Sequence, residues 1–197
     1  ALLVLLLSLP GCRTTSRSEY GKYTNSFFDT FDTLIQVVAY AKSEQEFDAW
    51  FEKIHARFQK LHRLYDIYNT YPGLNNVKTI NDNAGLRPVK VDKAIIDLIL
   101  FAKDWYARTG GRTNIALGPV LRIWHDYRTA GMDDPLSAKL PPPAELRRAA
   151  EHTDISKVIV DPEKSTVYLA ERGMSLDVGA VAKGFAVELV AREAQAD

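Results

Sequence analysis

The most regular pattern along the chain is a stripe of large apolar residues: Phe47, Trp50, Phe51, Ile54, Phe58, Leu61 and Tyr65 recur at steps of three and four. That spacing predicts an amphipathic helix packed against a sheet. Ser43 opens the helix as a cap, and Glu46 three residues on completes a capping box. Just upstream, TLIQVVAYA (Thr33 to Ala41) concentrates β-formers and predicts a strand. Downstream the stripe stops. YDIYNTYPGLNNVKTINDN, from Tyr65 to Asn83, is polar and turn-rich, and reads as a long loop of the kind that carries function.

A second helix is expected from Asp92, its cap, to Thr109, with Ile95, Ile96, Ile99, Ala102 and Tyr106 turned inward and Gly110-Gly111 ending it. Gly118 and Pro119 start a third, since proline in a first turn costs no hydrogen bond; Leu121, Trp124 and Tyr127 or Arg128 follow. Residues 130–143 read as a Gly/Pro-rich connection, and PPPAELRRAAEH as the start of another short helix. KVIVD and TVYLA, joined by PEKS, predict two strands and their turn. The final stretch, MSLDVGAVAKGFAVELVAREAQAD, predicts a short strand ending at Asp177 or Val178 and a helix from around Ala180.

The first residues add a different kind of information. ALLVLLLSL is an uninterrupted apolar run, followed by Pro10, Gly11 and Cys12. It is too short to cross a bilayer as a helix, which needs about 20 residues. It fits the apolar core of a secretory signal. A small residue followed by cysteine at the end of such a run resembles a bacterial lipoprotein cleavage site, which would make Cys12 the lipid-bearing first residue of the mature chain. An ordinary signal peptide with a chance cysteine is the alternative. Residues 13–26 are polar and serine-rich, as a tether should be, leaving 27–197 as the folded domain. The expected location is therefore the inner membrane, with an exported, lipid-anchored domain facing the periplasm or the cell exterior.

Charge and cysteine usage narrow the chemistry. Lys plus Arg is 25 and Asp plus Glu is 25, so there is no basic excess with which to grip nucleic acid. A single cysteine excludes an intrachain disulfide framework and a cysteine-built zinc site. Neither HExxH nor GxSxG occurs, so a hydrolase triad is unsupported. His55 and His62 are expected on the solvent side of the first helix, and His125-Asp126 as a surface pair in the third. The strongest signal is SLDVGAVAKGF, a carboxylate at a strand end followed by small residues opening a helix. Free N–H groups and the dipole at such a start favour a phosphate, with Gly179 and Gly184 allowing close approach and Lys183 adding a cation. Tight packing of the helix on a sheet is the plainer explanation of the same small residues.

Four stretches, in order, resemble the ApbE-type FAD:protein FMN transferases. Phe31-Asp32-Thr33 resembles an entrance motif that is usually Met-Gly-Thr. LYDIYNTYPGLNNVKTIND resembles the loop carrying a flavin-contacting tyrosine and ending in asparagine, here Tyr68 and Asn81. TGGRTNIALGPVLRIW resembles T-D-G-x-x-D-x-x-x-G-P-L followed by Trp, with Arg112, Thr113 and Asn114 at FAD-contacting positions. LDVGAVAKGFAVE resembles L-D-L-G-G-I-A-K-G-Y-A-V-D nearly residue for residue. Phe31 stands where methionine is usual, and Asn114 where aspartate is.

The resemblance implies an α+β fold, a mixed or antiparallel sheet flanked by helices and related to the T-fold, with this chain ending before the second lobe. It implies transfer of the FMN part of FAD to a Thr or Ser hydroxyl of an acceptor protein, with release of AMP. The acceptor would be a subunit of a membrane electron-transfer complex. Asp177 and Lys183 would hold the FAD, with Tyr68 flanking a ring. Mg²⁺ is implied as cofactor, one ligand falling at Ala180, whose side chain leaves only its backbone carbonyl. The remaining ligands and the catalytic groups would lie beyond residue 197. An FAD-binding or FAD-hydrolysing lipoprotein without transfer activity, and a surface lipoprotein without ligand, are the other readings.

Overall fold

The computed structural model describes residues 19–196 and opens with an antiparallel ribbon. Its strands β1 (Gly21–Phe27) and β2 (Ile35–Ala41) pair in register from Gly21 opposite Ala41 to Phe27 opposite Ile35. Residues 21–26, expected as part of a tether, are therefore strand. GKYTNSF reads as tether because Lys22, Thr24 and Ser26 are polar, but they sit in a ribbon whose outer face is open to water. Inward-facing Tyr23 stacks on Phe47 and Phe27 packs edge-on against Phe51. Cys12 and the apolar run before it lie outside the described residues.

Helix α1 (Glu44–Tyr65) crosses the ribbon, burying Phe47, Phe51, Phe58, Leu61, Leu64 and Tyr65. Ser43 caps it as expected, its side chain accepting from the Glu46 N–H; the Glu46 carboxylate reaches back one residue further, to the N–H of Lys42. Next comes α2 (Val77–Asp82), within the segment expected as loop. A buried Asn76 caps it in a reciprocal box with Thr79, a signal short enough to be hidden among turn residues. Then follow β3 (Val89–Lys90) and α3 (Lys93–Arg108), the latter capped by Asp92.

Helix α4 (Gly118–Asp133) continues past residue 130, where a connection was expected. Gly118 alone of its residues is buried, and Leu121 and Trp124 are 40% and 43% exposed. Helix α5 (Pro143–Ala150) packs beside it. The expected hairpin is β4 (Val158–Asp161) and β5 (Thr166–Leu169), and β5 is the middle strand between β3 and β4, antiparallel to both. The chain is thus α+β, with every pairing among the described residues antiparallel. Helix α6 (Gly179–Ala196) closes the core against α1 and α3, where Leu61, Leu64, Ile95, Leu98, Ile99 and Ala186 are fully buried. Arg57 fastens α6 from outside with two hydrogen bonds to the Glu193 carboxylate, at 2.7 and 2.8 Å. No helix among the described residues is long and apolar enough to cross a membrane.

Candidate functional site

The site is built where the loop after α1 meets the segment leading into α6. Asp66 ends α1 and organises the loop. Its carboxylate accepts from the N–H groups of Tyr68 (2.7 Å) and Asn69 (3.1 Å), the Asn69 amide and the Tyr71 hydroxyl. Burial works against this carboxylate, yet those four donors outweigh it and hold its pKa below the usual carboxylate value. Asn76, fully buried, pins the loop from below by donating to the carbonyls of Arg63 (3.1 Å) and Asn69 (2.8 Å). The consequence is an ordered turn that leaves the Tyr68 side chain 61% exposed.

The second half comes from residues 174–178. Met174, Leu176 and Val178 are buried while Ser175 and Asp177 alternate outward, the period of a strand. No ladder forms, so the expected strand is absent. Its partner is instead one side chain: Asn81 accepts from the N–H of Leu176 (2.7 Å) and donates to its carbonyl (3.0 Å). The next N–H, of Asp177, donates to the Ile115 carbonyl at 2.8 Å. Gly118 lets α4 press against this segment; a Cβ there would lie 2.5 Å from the Ser175 carbonyl oxygen.

Asp177 then caps α6, its Oδ1 accepting from the Gly179 N–H at 2.9 Å, so the helix starts one residue before the expected position. The N–H of Val181 bonds the Val178 carbonyl. An internal carboxylate thus already answers part of the positive pole on which phosphate binding was expected. Of the cations expected here, Lys183 remains available, with no hydrogen bond or ion pair among the described residues.

Two cavities open on either side of Tyr68 and Asp177. The smaller, about 330 Å³, is walled by Phe31, Asp32, His62, Asp66, Tyr68, Asp177 and Lys183. The larger, about 560 Å³, is walled by Tyr68, Lys78, Asn81, Arg122, His125, Asp126, Ser175 and Asp177. Phe31, Tyr68, Asp177 and Lys183, all singled out in the sequence, therefore converge. Burial raises the pKa of the Tyr68 phenol, and the carboxylates of Asp177, Asp66 and Asp32 push it the same way against Arg128. Tyr68 stays a neutral hydrogen-bond donor throughout the physiological range.

Arg112, Thr113 and Asn114 line neither cavity. The Thr113 N–H donates to the Thr109 hydroxyl. Asn114 caps the turn Ile115–Leu117 and donates to the Thr153 carbonyl at 2.9 Å. It reaches the site only through Ile115, whose carbonyl holds Asp177.

Several wall residues were not read as such in the sequence. His62 accepts the Phe31 N–H on Nδ1 at 3.2 Å, and His55 bonds Asp29 through Nε2 at 2.8 Å, so both grip the loop after β1 instead of facing solvent. Phe31 and Asp32 in that loop have φ of 56° and 48°, each costing about 1–3 kcal/mol for a residue with a Cβ. The glycine usual at the second position of the resembling motif is the residue for such a φ. Arg122, His125 and Asp126, at helical spacing on α4, form one wall of the larger cavity, and the His125 ring lies 5.5 Å from that of Tyr68. Their i, i+3, i+4 spacing was the available signal.

Among the described residues no three His, Cys, Asp or Glu side chains converge as a metal cage. Asp177 offers Oδ2, which no hydrogen bond engages among those residues. One free carboxylate oxygen suits Mg²⁺ only where phosphates and water supply most of its ligands. Ala180, in the first turn of α6, has its carbonyl directed along the helix toward residue 184.

Gly184 of α6 has open space around it: a Cβ there meets nothing within 4 Å. Gly184→Ala should therefore stabilise the helix by about 0.5–1 kcal/mol. A rise in Tm is the expected result. A drop would mark Gly184 as a point of close approach.

The α+β fold is shared with solved structures. The chain superposes on the flavin transferase ApbE from Vibrio cholerae with a TM-score of 0.72 at 15% identity, over 90% of this chain and 54% of that one. On the ApbE protein from Thermotoga maritima the TM-score is 0.71 at 22% identity, over 89% and 53%. At such identities the likeness is one of fold. Residues 31–197 match the ApbE family, and the chain belongs to it. It is 31% identical to the FAD:protein FMN transferase of Klebsiella pneumoniae over 137 residues, which cover 68% of this chain and 40% of that protein. The corresponding Treponema pallidum protein is 29% identical over 167 residues, 80% of this chain and 42% of its own. The chain spans about two fifths of the curated relatives it matches.

Proposed function

We propose that this chain forms the FAD-binding part of an enzyme that transfers FMN from FAD to a Thr or Ser hydroxyl of an acceptor protein. The observation that carries the reading is the meeting of Tyr68, Asp177 and Lys183 at a divided cavity in a member of the ApbE family. In the reaction the acceptor oxygen bonds to the FMN phosphorus, the pyrophosphate P–O bond breaks, AMP leaves, and the hydroxyl proton passes to solvent or a base. Such a transfer depends on alignment and charge neutralisation more than on covalent help.

Each residue has a part that its surroundings allow. The exposed Tyr68 ring offers a face on which a planar heterocycle can stack, and its phenol remains a donor. Lys183 neutralises phosphate charge beside α6. Asp177 accepts hydrogen bonds from the substrate on Oδ2 while Oδ1 holds the helix start. Mg²⁺, when bound, would neutralise the pyrophosphate, and Asp177 would reach it through a bound water. The acceptor is proposed to be a subunit of a membrane electron-transfer complex. An exported, membrane-anchored location through a lipid on Cys12 accords with that partner.

Asp177→Asn keeps the helix cap but removes the charge. Losing a charged hydrogen bond costs about 1.5–3 kcal/mol, so FMN transfer by the full-length protein should fall at least about tenfold with the circular dichroism spectrum intact. Covalent flavin on an acceptor peptide is the readout. Free FMN and AMP without labelled peptide would establish hydrolysis in place of transfer. Unchanged transfer by the variant would remove Asp177 from the site.

A further inference from the structure

We propose that His62 is a positioning residue for the smaller cavity: its neutral imidazole holds the Phe31-Asp32 turn in place, and protonation of that ring releases the turn and weakens binding there. The functional readout rests on the proposed FAD site; the structural one does not.

The bond between the Phe31 N–H and His62 Nδ1 needs a lone pair on Nδ1, so the ring is the neutral tautomer with its proton on Nε2. A protonated ring carries hydrogen on both nitrogens and would set a donor against the Phe31 N–H. One other hydrogen bond among the described residues closes the turn, from the Thr33 N–H to the Thr30 carbonyl at 3.4 Å. Two successive residues adopt left-handed φ, and the neighbouring Thr30 hydroxyl is buried without a partner. Phe31 itself rests edge-on against the His62 and Phe58 rings, at 5.5 and 6.3 Å. His62 therefore supplies both the acceptor and part of the packing. Phe31 and Asp32 wall the cavity, so losing the turn deforms the cavity.

His55, seven residues earlier on α1, shows why the response is directional. Its partner is the Asp29 carboxylate, with Gln59 donating to the same oxygen pair. Protonation strengthens that contact. Acid would thus leave the Asp29 end of the loop clamped and free the Phe31 end. The other titratable and charged groups about the cavity are Asp32 from the loop, Tyr65, Asp66 and Tyr68 from the end of α1 and beyond, and Asp177 and Lys183 at α6.

His62→Asn separates the roles, because Asn Oδ1 can take the place of Nδ1 as acceptor and does not titrate. The full-length protein is titrated with FAD by flavin fluorescence at about pH 8 and pH 5.5, across the range where histidines change charge. Wild type should lose about five- to tenfold in affinity beyond the loss seen in His62→Asn, the scale of one hydrogen bond. His55→Gln should keep the wild-type pH dependence. Equal pH dependence in wild type and His62→Asn overturns the proposal, as does its disappearance in His55→Gln alone.

The Phe31 amide gives a readout without ligand. Its hydrogen-exchange protection factor in the free protein should fall on acidification in wild type and hold in His62→Asn. FAD that fails to bind at any pH would defeat the proposed FAD site, and Phe31 protection would still decide the role of His62. Should His62→Asn not fold, the wild-type protein suffices: loss of Phe31 protection must share its midpoint with the His62 ring titration followed by NMR, and separate midpoints overturn the proposal.

Discussion

Asn81→Ala should lower the stability of the protein by about 2–4 kcal/mol, because it leaves both the N–H and the carbonyl of Leu176 without their partner. Leu176 is 1% exposed, so water cannot replace the lost bonds without opening the segment. For a chain of this size that corresponds to a fall in Tm of roughly 5–15 °C. FAD affinity should fall as well, since Asp177 is carried on the next residue. Asn81→Asp should do no better, as a carboxylate would face the Leu176 carbonyl. A Tm within a degree of wild type would show that Met174, Leu176 and Val178 hold the segment by apolar burial alone.

Gly118→Ala carries the second large effect, by overpacking. The added Cβ would fall 2.5 Å from both the carbonyl oxygen and the hydroxyl of Ser175, and 2.7 Å from its carbonyl carbon. Two of these atoms are backbone, so a side-chain rotation cannot relieve the overlap. Overpacking of this kind costs about 1–3 kcal/mol. The displaced segment is the one that carries Asp177, so FMN transfer should fall by more than the stability loss explains at 25 °C. Ser175→Ala in the same chain should recover only the hydroxyl share of the loss. Full recovery would mean the backbone contact is softer than it stands.

What the sequence made legible follows how local each determinant is. The stripe from Phe47 to Tyr65, the Ser43 and Asp92 caps and the hairpin around Pro162 to Ser165 all act within a few residues, and they form as expected. β1 was missed because its polar residues face water in a ribbon and only pairing with β2 makes them a strand. α2 was missed because six residues give no periodicity to read. Residues 174–178 have the alternation of a strand, but their partner is the side chain of a residue 95 positions away. At the candidate site, Asp177 and Lys183 stood out in the junction SLDVGAVAKGF, and Phe31 and Tyr68 through family resemblance. His62, Asp66 and Asn76 were not, because each acts by grasping a backbone whose course no local pattern reveals.

The Asn81–Leu176 clasp also sets an order of events. Helix α1 can form in microseconds from contacts within one turn, whereas a contact across 95 residues must wait for a slow search of the intervening chain. At synthesis rates of about 5–20 residues per second, Leu176 is joined to the chain roughly 5–20 s after Asn81. During that interval Tyr68 and the Asp66 turn can be complete while the opposite wall does not yet exist. A nascent chain would therefore carry ordered helices before the proposed flavin site exists. In refolding, helical ellipticity should return ahead of FAD fluorescence quenching, with the second trace tracking the docking of α6.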